Sequence, residues 1–196
     1  MSFRDEKRRR TMREIQSAAL DLFEARGYDA VSVEAIAAAA GVSAPTVYRN
    51  FGTKERIVLW DDYDPDMLDA IAAETRRAKP LAAIEIGLVG ALDRIYEADA
   101  RRVFRRSKLA VKEPALRLAN APALAEMRAQ LGAVLVLSYA GMSEARADLL
   151  AAVVVVALEI AVNRWIQEQG REPLRSYFRE VFADLRSVVL TEGVTA

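Results

Sequence analysis

The chain has 196 residues, with 28 Lys and Arg against 28 Asp and Glu, and it contains neither Cys nor His. Zero formal net charge excludes a uniformly basic surface but leaves room for a local basic patch. The missing side chains exclude thiol chemistry, disulfides, Cys or His metal sites and a Ser-His-Asp triad, while 53% hydrophobic residues supply a packed core rather than disorder. The most apolar stretch, Leu149 to Leu158, is bounded by Asp148 and Glu159. It falls far short of the ~20 residues of a spanning helix. The opening MSFRDEKRRR has no apolar run behind it, so no secretory signal and no membrane partner are expected, and the protein is placed in the cytoplasm.

Few glycines and prolines and much Ala, Leu, Glu and Arg predict an all-α fold. The first helix starts in the basic opening and ends near Arg26, with Ile15, Ala18, Ala19, Leu22 and Phe23 on one apolar face. Gly27 suits a left-handed cap after it. A second helix follows Ser32 as N-cap and carries Val33, Ile36, Ala37 and Ala40; Gly41 stops it. Ser43 caps a third helix through Phe51, with Pro45 tolerated in its first turn. Gly52 ends that helix and Thr53 caps a fourth, with Ile57, Val58, Leu59 and Trp60. The run Asp61, Asp62, Asp64 and Pro65 marks a boundary, predicting domains over residues 1–60 and 61–196. Beyond it the periodicity predicts helices at 66–78, 81–97, 100–112, 115–120, 122–139, 144–169 and 173–190, with a break at Gly170 and Pro173 and a frayed tail from 191.

Val33 to Phe51 reads as a helix-turn-helix. Ala37 is small where two helices approach, Gly41 suits the tight turn, and Val42 and Val47 lock the second helix on the first. That second helix then offers Pro45, Thr46, Arg49 and Asn50 outward, sized for a major groove.

The segment from Arg13 to Val58 closely resembles the DNA-binding domain of the TetR family of transcriptional regulators. The resemblance rests on Phe23, Gly27-Tyr28, Ser32-Val33, Ala37, Gly41-Val42-Ser43, Val47-Tyr48, Phe51 and Thr53-Lys54-Glu55. Pro45 departs from it, since the family often has glycine or another small residue there. The resemblance implies an N-terminal three-helix DNA-binding domain and a C-terminal helical domain for effector binding and dimerisation. It implies that Ser32 touches a phosphate, that Ser43, Thr46 and Tyr48 lie along the recognition helix with Tyr48 reaching the backbone, and that Lys54 neutralises another phosphate. Arg49 and Asn50 are the candidates for reading guanine and adenine edges, and Thr46 for a thymine methyl. Two alternatives stand beside these roles: Tyr48 packs within the small domain, and Arg49 meets only phosphate. Residues 1–13 carry six basic groups (Arg4, Lys7, Arg8, Arg9, Arg10 and Arg13) against Asp5 and Glu6. They read as a flexible arm on phosphate or in the minor groove, or else as a solubilising continuation of the first helix.

In the second half the resemblance is one of architecture. It implies a homodimer of the helices at 144–169 and 173–190, whose apolar residues suit a four-helix interface. Two recognition helices related by a twofold then read a palindromic double-stranded operator, and a small-molecule effector releases it. Trp60, Tyr63, Phe104 and Tyr139 are candidates to line an effector cavity. Arg101, Arg105, Lys108 and Lys112 share a face of a helix with six basic residues. Arg105 and Lys108 are the candidate anchors for an anionic effector, against the alternative of a solvated face paired with nearby acids. Trp60-Asp61-Asp62-Tyr63-Asp64 beside that helix is similar to a TetR subgroup that includes the mycofactocin-system regulators, which implies an acyl-coenzyme A effector. The expectation is a repressor without enzymatic activity, cofactor or metal. An activator of the same family is the first alternative, and a carboxylate enzyme using Asp61, Asp62 and Glu85 a remote one.

Overall fold

The computed structural model describes residues 3–61 and 64–191. Among these the chain is helical without a strand: α1 (Phe3–Arg26), α2 (Val33–Ala39), α3 (Ala44–Phe51), α4 (Lys54–Leu59), α5 (Asp64–Glu74), α6 (Pro80–Lys112), α7 (Pro114–Ser138), α8 (Glu144–Gln167) and α9 (Leu174–Thr191). No helix among the described residues is long and apolar enough to cross a membrane. The chain forms two compact units, one of Met1–Asp62 with Arg101–Asn120, the other of Tyr63–Ala100 with Ala121–Ala196. The segment 101–120 therefore belongs with α1 to α4, although it lies beyond the sequence boundary near residue 60.

In the first unit α1 packs on α2 and α4, and α2 on α3. The periodic residues of α1 meet those of the short helices: Ile15, Phe23, Ile36, Val47 and Ile57 are almost wholly buried. Each such side chain contributes about 1.5–3 kcal/mol on burial. Leu116, from the start of α7, is buried in the same core. The turn after α2 is a Schellman motif: Val42 N–H donates to Ala37 O at 3.0 Å and Gly41 N–H to Ala38 O at 3.2 Å. It puts Gly41 at φ +67°, a left-handed conformation that costs glycine little.

Polar groups hold this unit as well. Gln16 is fully buried on α1. Its Nε2 donates to the carbonyls of Ile57 (2.8 Å), Val58 (3.2 Å) and Trp60 (3.0 Å), and its Oε1 accepts from Arg102 at 2.7 Å. The last carbonyls of α4 have no partner within their own helix, and this amide supplies one.

In the second unit α8 and α9 form a helical hairpin around Val154, Trp165, Phe178 and Phe182. Gly87 of α6 lies so close to α5 that an added Cβ would stand 2.6 Å from the backbone of Ile71. Two expected helix breaks take another form. The predicted helices 115–120 and 122–139 are one helix, α7, with Pro122 inside it. Proline removes a single i→i−4 hydrogen bond while its φ remains helical, and a helix of 25 residues spans that gap. The predicted helices 81–97 and 100–112 are likewise joined in α6, across a kink at Asp99 (φ −160°, ψ 32°). Both irregular points adjoin the places where the chain passes from one unit to the other.

Candidate nucleic-acid interface

Ser43 builds the start of α3. Its Oγ accepts from Thr46 N–H at 3.3 Å and lies 2.9 Å from Thr46 Oγ1. Pro45 takes an early position in the helix, where its missing N–H costs nothing. Val47 and Phe51 are buried, which turns the opposite face outward: Pro45, Tyr48 and Arg49 are exposed, and Thr46 and Asn50 half-buried. Tyr48 does not pack inside the unit; it is 47% exposed, and its hydroxyl donates to Glu34 Oε1 of α2 at 3.4 Å. Arg49 Nη2 donates to Thr46 Oγ1 at 3.4 Å. Asn50 is held on both sides, its Nδ2 donating to Thr46 O at 2.8 Å and its Oδ1 accepting from Arg8 Nε at 3.2 Å.

The two flanking helices start in the same way. Ser32 Oγ accepts from Ala35 N–H at 3.2 Å, and Thr53 Oγ1 from Arg56 N–H at 3.3 Å. Lys54 is tied to its own unit: its ammonium donates to Tyr28 O (3.0 Å) and Val31 O (3.2 Å) and lies 4.2 Å from the centre of the Tyr28 ring. Any phosphate contact by Lys54 would share the ammonium with those carbonyls. Tyr28 itself is pushed well above its usual value, first by burial and then by the charge of Glu55, to which its hydroxyl donates. Glu55 is held below the ordinary carboxylate range, first by its own backbone N–H and then by Thr53 and Tyr28. The basic opening is not a flexible arm over its described part, because α1 is helical from Phe3.

The effector candidates divide between the units. Trp60, Phe104, Arg105 and Lys108 belong to the first and Tyr139 to the second, while Tyr63 lies outside the described residues. Tyr139 donates to Ala78 O at 2.8 Å. Arg102, Arg105 and Arg106 of the basic helix turn onto their own unit. Arg105 pairs with Asp21 and Glu24 of α1, both at 2.6 Å. Arg106 pairs with Asp61 and donates to Trp60 O at 3.2 Å. Arg102 stands 5.8 Å from the centre of the Trp60 ring, and Lys108 6.0 Å from that of Phe104. Glu85 pairs with Arg186 in the other unit. Among the described residues no acidic cluster of metal-binding kind occurs. Sequence reasoning passed over Gln16, although a glutamine four residues after Met12 and four before Leu20 interrupts a buried face.

A short helix with its apolar side buried, its polar side outward, and a Schellman turn behind it makes this a helix-turn-helix DNA-binding protein of all-helical fold. Residues 15–59 match the family described as bacterial regulatory proteins, tetR family. The HTH-type transcriptional regulator TcmR of Streptomyces glaucescens is 34% identical over 102 residues, 51% of this chain and 45% of that protein. The chain thus spans less than half the length of this curated relative. Two solved structures share the fold. The fatty acid degradation regulator FadR of Bacillus halodurans has a TM-score of 0.60 at 21% identity, over 88% of this chain and 93% of that one. FadR of Bacillus subtilis, in complex with stearoyl-CoA, has 0.55 at 18%, over 87% and 95%. Over residues 15–59 the chain carries the DNA-binding domain of the TetR family.

Proposed function

We propose that the chain is a dimeric repressor that binds a palindromic operator and is released by a small amphipathic effector. The observation that carries the reading is α3, whose outward face of Pro45, Thr46, Tyr48 and Arg49 is stiffened by hydrogen bonds among Ser43, Thr46, Arg49 and Asn50. Ser32 and Lys54 flank it as phosphate contacts, and Arg49 is its reader of base edges.

Dimerisation through α8 and α9 is supported by an exposed apolar stripe. Leu149, Val156 and Ile160 are 67%, 53% and 41% exposed on one side of α8, and Val188 is 64% exposed on α9. Ile160 and Val188 each lie one turn from the Arg164–Asp184 ion pair that joins the two helices. Such a stripe costs free energy in water until a second copy covers it. The twofold would then fix the separation of two recognition helices, and an effector that changes the separation opposes DNA by linkage.

For the effector we propose an acyl-coenzyme A or a similar amphipathic anion. The shared fold with FadR of Bacillus subtilis, whose solved complex holds stearoyl-CoA, supports the class. Trp60 and Phe104, both of the first unit, are its proposed apolar contacts. An anchoring role for Arg105 would have to compete with Asp21 and Glu24. Residues 1–60 are the proposed DNA-binding domain and 61–196 the effector and dimer domain, at work in the cytoplasm. The ion pairs of Asp61 and Glu85 with arginines favour this regulator over a carboxylate enzyme.

The test is fluorescence anisotropy against duplexes enriched by the protein from a random-sequence pool, with native mass spectrometry of the complex. A palindromic consensus, two chains per duplex and release by stearoyl-CoA are expected. A monomer on a non-palindromic site would refute the dimeric reading, and release by no acyl-coenzyme A of any chain length would refute the effector class.

A further inference from the structure

Both atoms of the Asn50 amide are already engaged. Its Nδ2 donates to Thr46 O and its Oδ1 accepts from Arg8 Nε. Bidentate reading of an adenine edge would have to share that donor and acceptor with Thr46 and Arg8. Asn50 is the penultimate residue of α3, and a recognition helix presents its N-terminal residues to base edges, so its far end runs out beside the backbone.

Arg8 comes to this end of α3 from the first turns of α1. Its placement is set by Met12, one turn further on, which is buried in the core of the unit. Arg8 is exposed. With Nε on Asn50, the four N–H groups on its two terminal nitrogens form the fork that matches two phosphate oxygens. Arg4 is exposed on the same face one turn earlier, and Lys7 is exposed beside Arg8. Asp5 and Glu6 in the first turn suit the helix dipole, while Arg4 and Arg8 at i,i+4 put two like charges on one face. Two like charges one turn apart favour an anion between them.

Resting on the regulator reading above, we propose that the first turns of α1 are a second DNA-contacting element. Arg8 grips a backbone phosphate flanking the base pairs beneath α3, and Asn50 is its positioning residue rather than a reader of bases. The recognition surface then extends beyond the helix-turn-helix, and the Arg8–Asn50 bond sets the register between the two elements.

The experiment is a double-mutant cycle in operator binding. It uses Arg8→Ala, Asn50→Ala, the double variant and Arg8→Lys, titrated over a salt series against duplexes selected by the unmodified protein. Arg8→Ala is expected to weaken binding roughly tenfold and to reduce the salt slope by about 0.9. Asn50→Ala is expected to weaken all sequences alike by part of that amount, and to have no further effect once Arg8 is gone. Arg8→Lys keeps the charge but not the fork, so it restores the slope while Asn50→Ala no longer matters. The melting temperature of Arg8→Ala stays unchanged, because that side chain is exposed. Unchanged affinity and slope in Arg8→Ala would overturn the inference and leave the regulator reading intact. So would an Asn50→Ala variant that relaxes one base-pair preference additively with Arg8→Ala. Failure of the unmodified protein to select any duplex would overturn both.

Discussion

Gln16→Leu removes the polar junction of the first unit while keeping most of the side chain's bulk. The amide has two hydrogens for three carbonyls, those of Ile57, Val58 and Trp60, so it counts as two neutral hydrogen bonds at about 0.5–1.5 kcal/mol each. The Arg102 guanidinium adds a charge-assisted bond, worth about 1.5–3 kcal/mol where its partner is lost outright. Arg102 also lies by the Trp60 ring and is able to re-orient, which pulls the total to the lower end of that sum. Leucine would leave carbonyls without donors in a site that is 0% exposed. The expected cost is about 2–4 kcal/mol, or about 5–15 °C in melting temperature for a chain of this size. Urea unfolding followed by tryptophan fluorescence measures it, since Trp60 lies in the first unit and Trp165 in the second. Arg102→Leu leaves the carbonyls capped by Gln16 and should cost less than Gln16→Leu. A Gln16→Leu loss below about 0.5 kcal/mol, the scale of an ordinary surface change, would refute the argument that this amide closes the end of α4.

Other perturbations address the packing, the basic helix and the pH response. Gly87→Ala should cost about 1–3 kcal/mol, because the new Cβ meets backbone atoms of α5 that cannot swing aside; an unchanged thermal melt would mean a looser helix crossing. Arg105→Glu should cost about 1–2 kcal/mol, kept low because Asp21 and Glu24 are more than half exposed. Glu24→Arg in the same chain should recover part of it, whereas an Arg105 with no structural part would leave the melt unmoved. Tyr28 has its folded value raised above 10.0. Its contribution is therefore fully present below pH 10.0 and lost as pH rises through the folded value, by up to about 1.4 kcal/mol per pH unit. Tyr28→Phe should flatten the alkaline limb of the stability profile, and an unaltered limb would sink the assignment. Glu55 has the opposite sign: its depressed value gives stability above 4.5 that is lost as pH falls through the folded value, and Glu55→Gln should flatten the acid limb.

The features legible in the sequence were those whose cause lies within a few residues. Ser32, Ser43 and Thr53 each cap the helix that follows them, because an N-cap bond closes over three residues. The turn at Gly41 was legible for the same reason. Pro122 misled because a local rule treats proline as a stop, whereas a long helix absorbs one missing bond. Gln16 and Arg105 were illegible in their roles because their partners lie 41 to 86 residues away. Periodicity assigns a face to each helix but not the group that will meet it. Asn50 shows the same limit on a smaller scale. Its type suits an adenine edge, but the atom that occupies its carbonyl belongs to a residue 42 positions earlier.

The neutral total of charge conceals a sorting that only partners reveal. In the stretch 101–112 the arginines at 105 and 106 face carboxylates of Asp21, Glu24 and Asp61, and the one at 102 faces the Gln16 amide. Those charges are spent on holding the helix against its own unit. Arg8 of the opening turns and Arg49 of α3 have neutral groups beside them, Asn50 and Thr46. A neutral partner orients a guanidinium without cancelling its charge. A carboxylate does both, and leaves little field for a phosphate. Arg105 and Arg8 carry the same group and both stand on helices, yet one meets carboxylates and the other an amide. Three arginines of the basic cluster most conspicuous in the sequence are committed to the fold, and on the proposed reading the charge directed at DNA comes from the opening helix and the recognition helix together.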